Sequence, residues 1–125
     1  MADSKTKYVD GFVLVVPKDK VAEYKKIASE ASKVWMGYGA LSYKECMLDD
    51  AQPKDVTFTF PVMAKAKENE TVWFSYIEYK SKAHRDEVNE KVMKDPSMND
   101  PAQMEKMPFD MKRMAFGGFE VIVTD

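Results

Sequence analysis

The chain has 125 residues, with 19 Lys and Arg against 21 Asp and Glu, for a net charge of −2. One domain of ordinary size accounts for this length, and such a core needs no disulfide staples. Phosphate-backbone binding needs clustered positive charge, which this slightly acidic chain lacks, so no nucleic-acid partner is expected. The single cysteine, Cys46, has no partner within the chain, as expected for a reducing cytoplasm. Met1 to Lys7 is polar, and the longest apolar run, Phe12 to Pro17, is far short of a bilayer span. Neither a signal peptide nor a membrane partner is therefore expected.

In chain order, Tyr8 to Val16 is β-branched and aromatic and predicts a strand ended by Pro17. Val21, Tyr24, Ile27, Ala28, Ala31, Val34, Trp35 and Tyr38 recur at three- and four-residue spacing. They predict a helix over about Lys18 to Tyr38, capped by Asp19 and stopped near Gly37 and Gly39. Leu41 to Leu48 alternates as a second strand. The span from about 49 to 70 reads as a long excursion with an extended piece at Val56 to Val62. Thr71 to Tyr79 is a third strand, and Ser81 caps a second helix running to about Lys94, ended by Asp95-Pro96. A short helix and a methionine-rich loop fill 97–112. Arg113 to Val123 is the last strand, whose Gly117-Gly118 suggests a bulge or a close backbone contact.

This order predicts an α+β domain, a ferredoxin-like βαββαβ antiparallel sheet over about 7–123 with both helices on one face. The other face would be bare and aromatic, and a second copy is its simplest cover. By period-two alternation, Val9, Gly11, Val13 and Val15 are expected under the helices. Tyr8, Asp10, Phe12, Leu14 and Val16 are expected on the open face, joined by Tyr43, Glu45, Met47, Phe74, Tyr76 and Glu78. Three acids among aromatics, Asp10, Glu45 and Glu78, then have Lys44, Lys112 and Arg113 as candidate counter-charges. They either sit solvated at strand ends or line a cavity that holds a small polar or cationic ligand.

Motifs add little chemistry. No GxGxxG, GxxxxGK[ST] or GxSxG occurs, and one histidine and one cysteine cannot assemble a zinc-type site in one chain. No cofactor and no metal are expected. His84 reads as a half-buried structural residue or, alternatively, as a general acid or base with Asp86 or Glu87 beside it. Cys46 reads as a small core residue, and Arg85-Asp86 as a surface or strand-docking ion pair. Met98, Met104, Met107, Met111 and Met114 suggest a loop folded over something apolar.

Longer stretches are shared with a known family. These are Tyr8-Val9-Asp10-Gly11-Phe12-Val13, Val16-Pro17, Gly39-Ala40-Leu41, Glu45-Cys46 and Lys65-Ala66-Lys67-Glu68-Asn69-Glu70. Further along come Phe74-Ser75-Tyr76-Ile77-Glu78-Tyr79, Ser81-Lys82, Arg85-Asp86, Met93 and Asp95-Pro96. The last are Met107-Pro108-Phe109-Asp110, Lys112-Arg113-Met114 and Gly117-Gly118-Phe119. On these residues the chain resembles the YbaA-like family of bacterial proteins of unknown function, from Lys7 to about Glu120. Lys80 and Ser97 depart from it, standing where a proline and an arginine are common. The resemblance implies a dimeric α/β-barrel, two ferredoxin-like subunits with their sheets face to face. The wider superfamily includes cofactor-independent monooxygenases, isomerase-like enzymes and heme-handling proteins.

Two functions remain open at this stage. In one, a homodimer binds a small organic molecule between sheet and helices, and a cofactor-independent enzyme is one form this takes. Tyr8, Asp10, Phe12, Tyr43, Glu45, Tyr76, Glu78, Lys112 and Arg113 are the candidate ligand contacts, with Trp73 or Phe12 shaping the pocket. Asp10 or Glu78 would be the base, Arg113 the anion stabiliser, and His84 a further catalytic candidate. In the other, the dimer is a non-catalytic interaction module whose interior is filled by Phe12, Phe74 and Phe116.

Overall fold

The computed structural model describes residues 6–125, apart from the side chains of Gln103 and Met104. The strands are β1 (Tyr8–Pro17), β2 (Ser42–Met47), β3 (Glu70–Tyr79) and β4 (Ala115–Glu120). The helices are α1 (Val21–Gly37), α2 (Phe60–Ala64), α3 (Lys82–Lys94) and α4 (Pro101–Glu105). The strands form one antiparallel sheet in the order β2-β3-β1-β4. This α+β topology is compatible with the expected ferredoxin-like arrangement. Among the described residues no helix is long and apolar enough to cross a membrane.

β1 and β3 pair over their full lengths, from Tyr8 opposite Tyr79 to Pro17 opposite Glu70. Two core clusters sit on one face of this pair. Leu14, Val16 and Trp73 pack with Tyr24 and Ala28 of α1. Ile77 and Tyr79 pack with Ala40 and with Val88 and Val92 of α3, flanked by Trp35 and Tyr43. Both helices therefore cover the same face.

That face is the opposite of the expected one for β1 and β2. Tyr8, Asp10, Phe12, Leu14 and Val16 alternate onto the helix side with Tyr43, Glu45 and Met47. Val9, Gly11, Val13 and Val15 take the open side with Phe74, Tyr76 and Glu78. The physical reason is volume. Helices stand about 10 Å off a sheet, and the gap is filled by large side chains such as Leu14, Phe12 and Trp73 rather than by valine and glycine.

Local chemistry explains most element ends. Ser81 caps α3 by accepting the His84 N–H at 3.0 Å, as expected. Asp19 does not cap α1: a 3-10 turn over Lys18–Lys20 leads in, and the N-cap Lys20 makes no side-chain bond. The extended piece expected at 56–62 is overturned by α2, whose Thr59 accepts the Val62 N–H while Pro61 occupies the first turn. The segment lies against β1 and β3, where the cross-strand pair Val15 and Val72 is buried on the otherwise open face. β4 pairs in plain register through Gly117 and Gly118, so no bulge forms. The second glycine is required by close approach, because the Tyr8 ring fills the space its Cβ would take.

The start of β3 is fastened by a two-pronged ion pair. Arg113 donates to Glu70 Oε2 at 2.7 Å and to Oε1 at 2.9 Å, and also to the Lys65 carbonyl at 2.9 Å. The Arg113 guanidinium, helped by the Lys67 N–H, brings the Glu70 carboxyl down from its ordinary 4.5 to about 2. Because the charged form is favoured in the fold, this contribution is complete above about pH 4.5 and is lost as pH falls toward about 2. Glu70→Gln is expected to flatten that part of a Tm-against-pH profile. An unchanged acid limb in the variant would show that the clamp does not carry it.

Candidate functional site

Asp10 lies on the helix-side surface of β1 between Tyr8 and Phe12 and is 1% exposed. An isolated carboxylate there would be very costly, so a cation has to reach it. Arg85 does so from α3, with its Nη1 2.6 Å from Asp10 Oδ1 and its Nε 2.8 Å from Asp86. The guanidinium also stands 5.0 Å from the centre of the Tyr8 ring. Asn89, one turn further along α3, accepts from Trp35 Nε1 at 3.1 Å and from Tyr79 Oη at 3.3 Å. Burial pushes the Asp10 carboxyl above its ordinary range, and Arg85, Asn89 and Tyr79 pull it only part of the way back. The cluster is closed and internally satisfied, which makes it a fastener of α3 rather than a base presented to a ligand. The strand-docking reading of Arg85 is the correct one.

Glu45 is held differently. On β2 it faces α1, and its Oε1 accepts from Tyr24 Oη at 2.8 Å and from Ser75 Oγ, while Oε2 accepts from Tyr43 Oη at 2.7 Å. Burial, followed by the Glu45 charge, raises both phenols well above the ordinary tyrosine range. Both stay protonated as hydrogen-bond donors and are unsuited to giving up a proton. The carboxylate opens into a cleft of about 440 Å³ between α1 and β2, lined by Lys25, Ala28, Ser29, Ser32, Tyr43, Met47 and Trp73. Trp73 packs edge-on to Tyr24 at 5.0 Å, which fixes the cleft wall. This is a small-molecule-sized concavity with one convergent polar centre.

The remaining candidates do not join it. Tyr76 and Glu78 lie on the opposite side of the sheet, so the expected face of Asp10, Tyr43, Glu45, Tyr76 and Glu78 is split in two. Arg113 is committed to Glu70 and is not an anion stabiliser beside Asp10 or Glu45, and the neighbouring Lys112 is exposed. His84 accepts the Lys80 N–H at Nδ1 and meets the Tyr79 ring edge-on, which makes it part of the α3 cap. Asp86 pairs with Arg85 rather than with His84. Cys46 is exposed on the open face, not a core residue, because it alternates with Glu45. Phe12 and Phe116 stack within the one chain at 4.9 Å.

Among the methionines, Met98 and Met114 pack on the two core clusters. Met107 lines a second cleft, of about 400 Å³, with Ile27, Ala31 and Val34. Met104 falls outside the described side chains. Among the described residues no three His, Cys, Asp or Glu side chains gather where a metal ion could sit.

Sequence reasoning missed Ser75 and Tyr24 as parts of the Glu45 centre, and Asn89 and the choice of Asp10 as the strand partner of Arg85. A signal existed for the second group. Arg85, Val88, Asn89 and Val92 follow the i, i+3, i+4, i+7 spacing of a buried helix face.

The family model described as "Protein of unknown function (DUF1428)" matches residues 7–111. The chain belongs to the DUF1428 family. It is 48% identical over 119 residues to the "Uncharacterized protein YbaA" of Escherichia coli (strain K12), across 95% of this chain and 99% of that protein. The same identity and coverage hold for the proteins of that name from Escherichia coli O157:H7 and Shigella flexneri. The part matched by the DUF1428 model contains both carboxylate centres, whereas β4 and Arg113 lie beyond it.

The two partners of the Asp10 pair should differ in cost when removed. Arg85→Ala strands a carboxylate with no access to water, and a loss of about 3–5 kcal/mol in urea unfolding is expected. Asp10→Asn is expected to cost less, because Arg85 is 13% exposed and keeps Asp86. Equal losses would mean that Asp10 does not depend on Arg85.

Proposed function

We propose that this DUF1428 protein is a cytoplasmic homodimer, its two open sheet faces closed against each other as a barrel, and that each subunit binds a small organic molecule in the cleft beside Glu45. The observation that carries the ligand half is the convergence of three hydroxyl donors on one carboxylate at the wall of that cleft. Such a centre is a preorganised polar anchor in an otherwise apolar and aromatic concavity.

The dimer half is supported by the surface of the open face. Phe74 is half exposed there, and Phe119, lying over Gly11 and Gly117, is 60% exposed. The neighbouring excursion adds Phe58, Phe60, Val62 and Met63, all exposed. This many large apolar side chains exposed around one sheet face is uncommon on a monomer, where such surface is ordinarily covered by a partner. The geometry favours binding over proton-transfer catalysis, since both phenols at the cleft hold their protons and Asp10 is sealed away. The same exposed aromatics also favour the second reading, a non-catalytic interaction module, and the two readings share the dimer.

One experiment separates them. Native mass spectrometry of protein purified from its own cytoplasm should show twice the 14.3 kDa chain mass plus a small adduct. Met47→Trp, which fills the cleft from a half-exposed position, should remove the adduct and keep the dimer. Phe119→Asp should break the dimer. A bare dimer would favour the interaction module, a monomeric parent protein would end the barrel proposal, and an adduct that survives Met47→Trp would place the ligand elsewhere.

A further inference from the structure

The carboxylates of this protein are compensated in two ways. Asp10 and Glu70, which fasten α3 and the start of β3, each face an arginine. Glu45 faces only hydroxyls: among the described residues no Lys, Arg or His nitrogen comes within ion-pair distance of it. A carboxylate has about four acceptor positions, and three are used, two on Oε1 and one on Oε2. One position on Oε2 is left, on a carboxylate that lines the cleft and forms no ion pair among the described residues.

The walls suit the complementary charge. Tyr43 and Trp73 line the cleft, and aromatic rings attract cations and accept methyl or methylene groups. Met47, Val21 and Ala28 supply the rest of the apolar lining, and Ser29 and Ser32 on α1 offer hydroxyls at the rim. A carboxylate beside aromatic rings is the arrangement that recognises organic ammonium groups. An anionic ligand would meet the Glu45 charge directly, and a neutral one would leave it uncompensated.

We infer that the cleft between α1 and β2 is a site for a small organic ammonium, its N–H donating to Glu45 Oε2 and its apolar body lying against Met47, Tyr43 and Trp73. This rests on the reading of the cleft as a ligand site and names the chemical class it takes. Lys25 lies on the same rim and sets the orientation: its charge repels the ammonium end toward Glu45 and leaves any acceptor group of the ligand at the mouth.

The test is calorimetric titration of the purified full chain with n-butylammonium, and with n-butanol and butyrate as neutral and anionic probes of the same size. Glu45→Gln is the decisive variant, since its amide can still accept from Tyr24 and Ser75 and donate toward Tyr43, which preserves the fold. Butylammonium should bind more tightly than either control, and Glu45→Gln should weaken it about tenfold or more. Glu87→Gln, an exposed change on α3, should leave binding as it was. Butyrate or butanol binding as tightly as butylammonium, with Met47→Trp abolishing it, would overturn the ammonium class and leave the cleft as a ligand site. Butylammonium binding unaffected by Glu45→Gln would overturn the anchor, and no ammonium binding at all would overturn the inference. Were no probe to bind and the native adduct to survive Met47→Trp, the cleft itself would fall as the ligand site.

Discussion

Asp10 can be buried only where an arginine reaches it, and that requirement settles which side of the sheet the helices cover. Arg85 projects from the same stripe of α3 as Val88 and Val92, so the polar partner arrives with the apolar side chains that anchor the helix. Once Asp10 faces α3, alternation places Tyr8, Phe12, Leu14 and Val16 beneath the helices. The unbroken register with β3 then carries the same parity to Trp73, Ser75, Ile77 and Tyr79, and through β3 to Tyr43 and Glu45 on β2. The Glu45 centre is thus a downstream consequence of the Asp10 pair. Ser75 sits opposite both Phe12 and Glu45, so a slip of one residue between β1 and β3 would turn Ser75 away from the helices or Asp10 away from Arg85.

The other face follows from the same constraint by default. What β1 has left for it is Val9, Gly11, Val13 and Val15, side chains too short to form a layer of their own. They make a flat floor on which Phe119 lies over the glycines and Phe74 stands beside Tyr76 at 5.7 Å. The excursion covers one end of this floor through α2, where Val15 and Val72 are buried, and stops there.

Element order was legible because it rests on local signals: β-branched runs, the apolar stripe of α1, and Ser81 and Asp95-Pro96 bracketing α3. Face assignment was not, because alternation names two sets of residues without saying which is inside. The small, branched set of β1 reads as the one suited to packing under the helices. The opposite inference was available, since an acid between Tyr8 and Phe12 and an arginine on a buried helix stripe are each costly alone and compatible together. α2 was missed because 56–62 reads as an extended piece, whereas Pro61, coming after Thr59, is a first-turn residue. Of the residues lining the cleft, Tyr43, Glu45 and Trp73 are ones the sequence singles out, but their partners Tyr24 and Ser75 come from elements whose contacts depend on the parity that was reversed.

The contrast between the two kinds of carboxylate bears on why Glu45 is built as it is. An arginine at that position would close the centre as Arg85 closes Asp10, with the charge spent inside the protein and the side chain fixed in place. Hydroxyl donors orient a carboxylate equally well and leave its charge in place, because each contributes a dipole and no net charge. Burial raises the Tyr24 and Tyr43 phenols, so these donors keep their protons over ordinary pH. A centre assembled from Tyr24 on α1, Tyr43 on β2 and Ser75 on β3 is expensive in ordered side chains if its only result is a strand contact that a leucine could make. Its geometry is explained when the charge it preserves is used by something that enters the cleft.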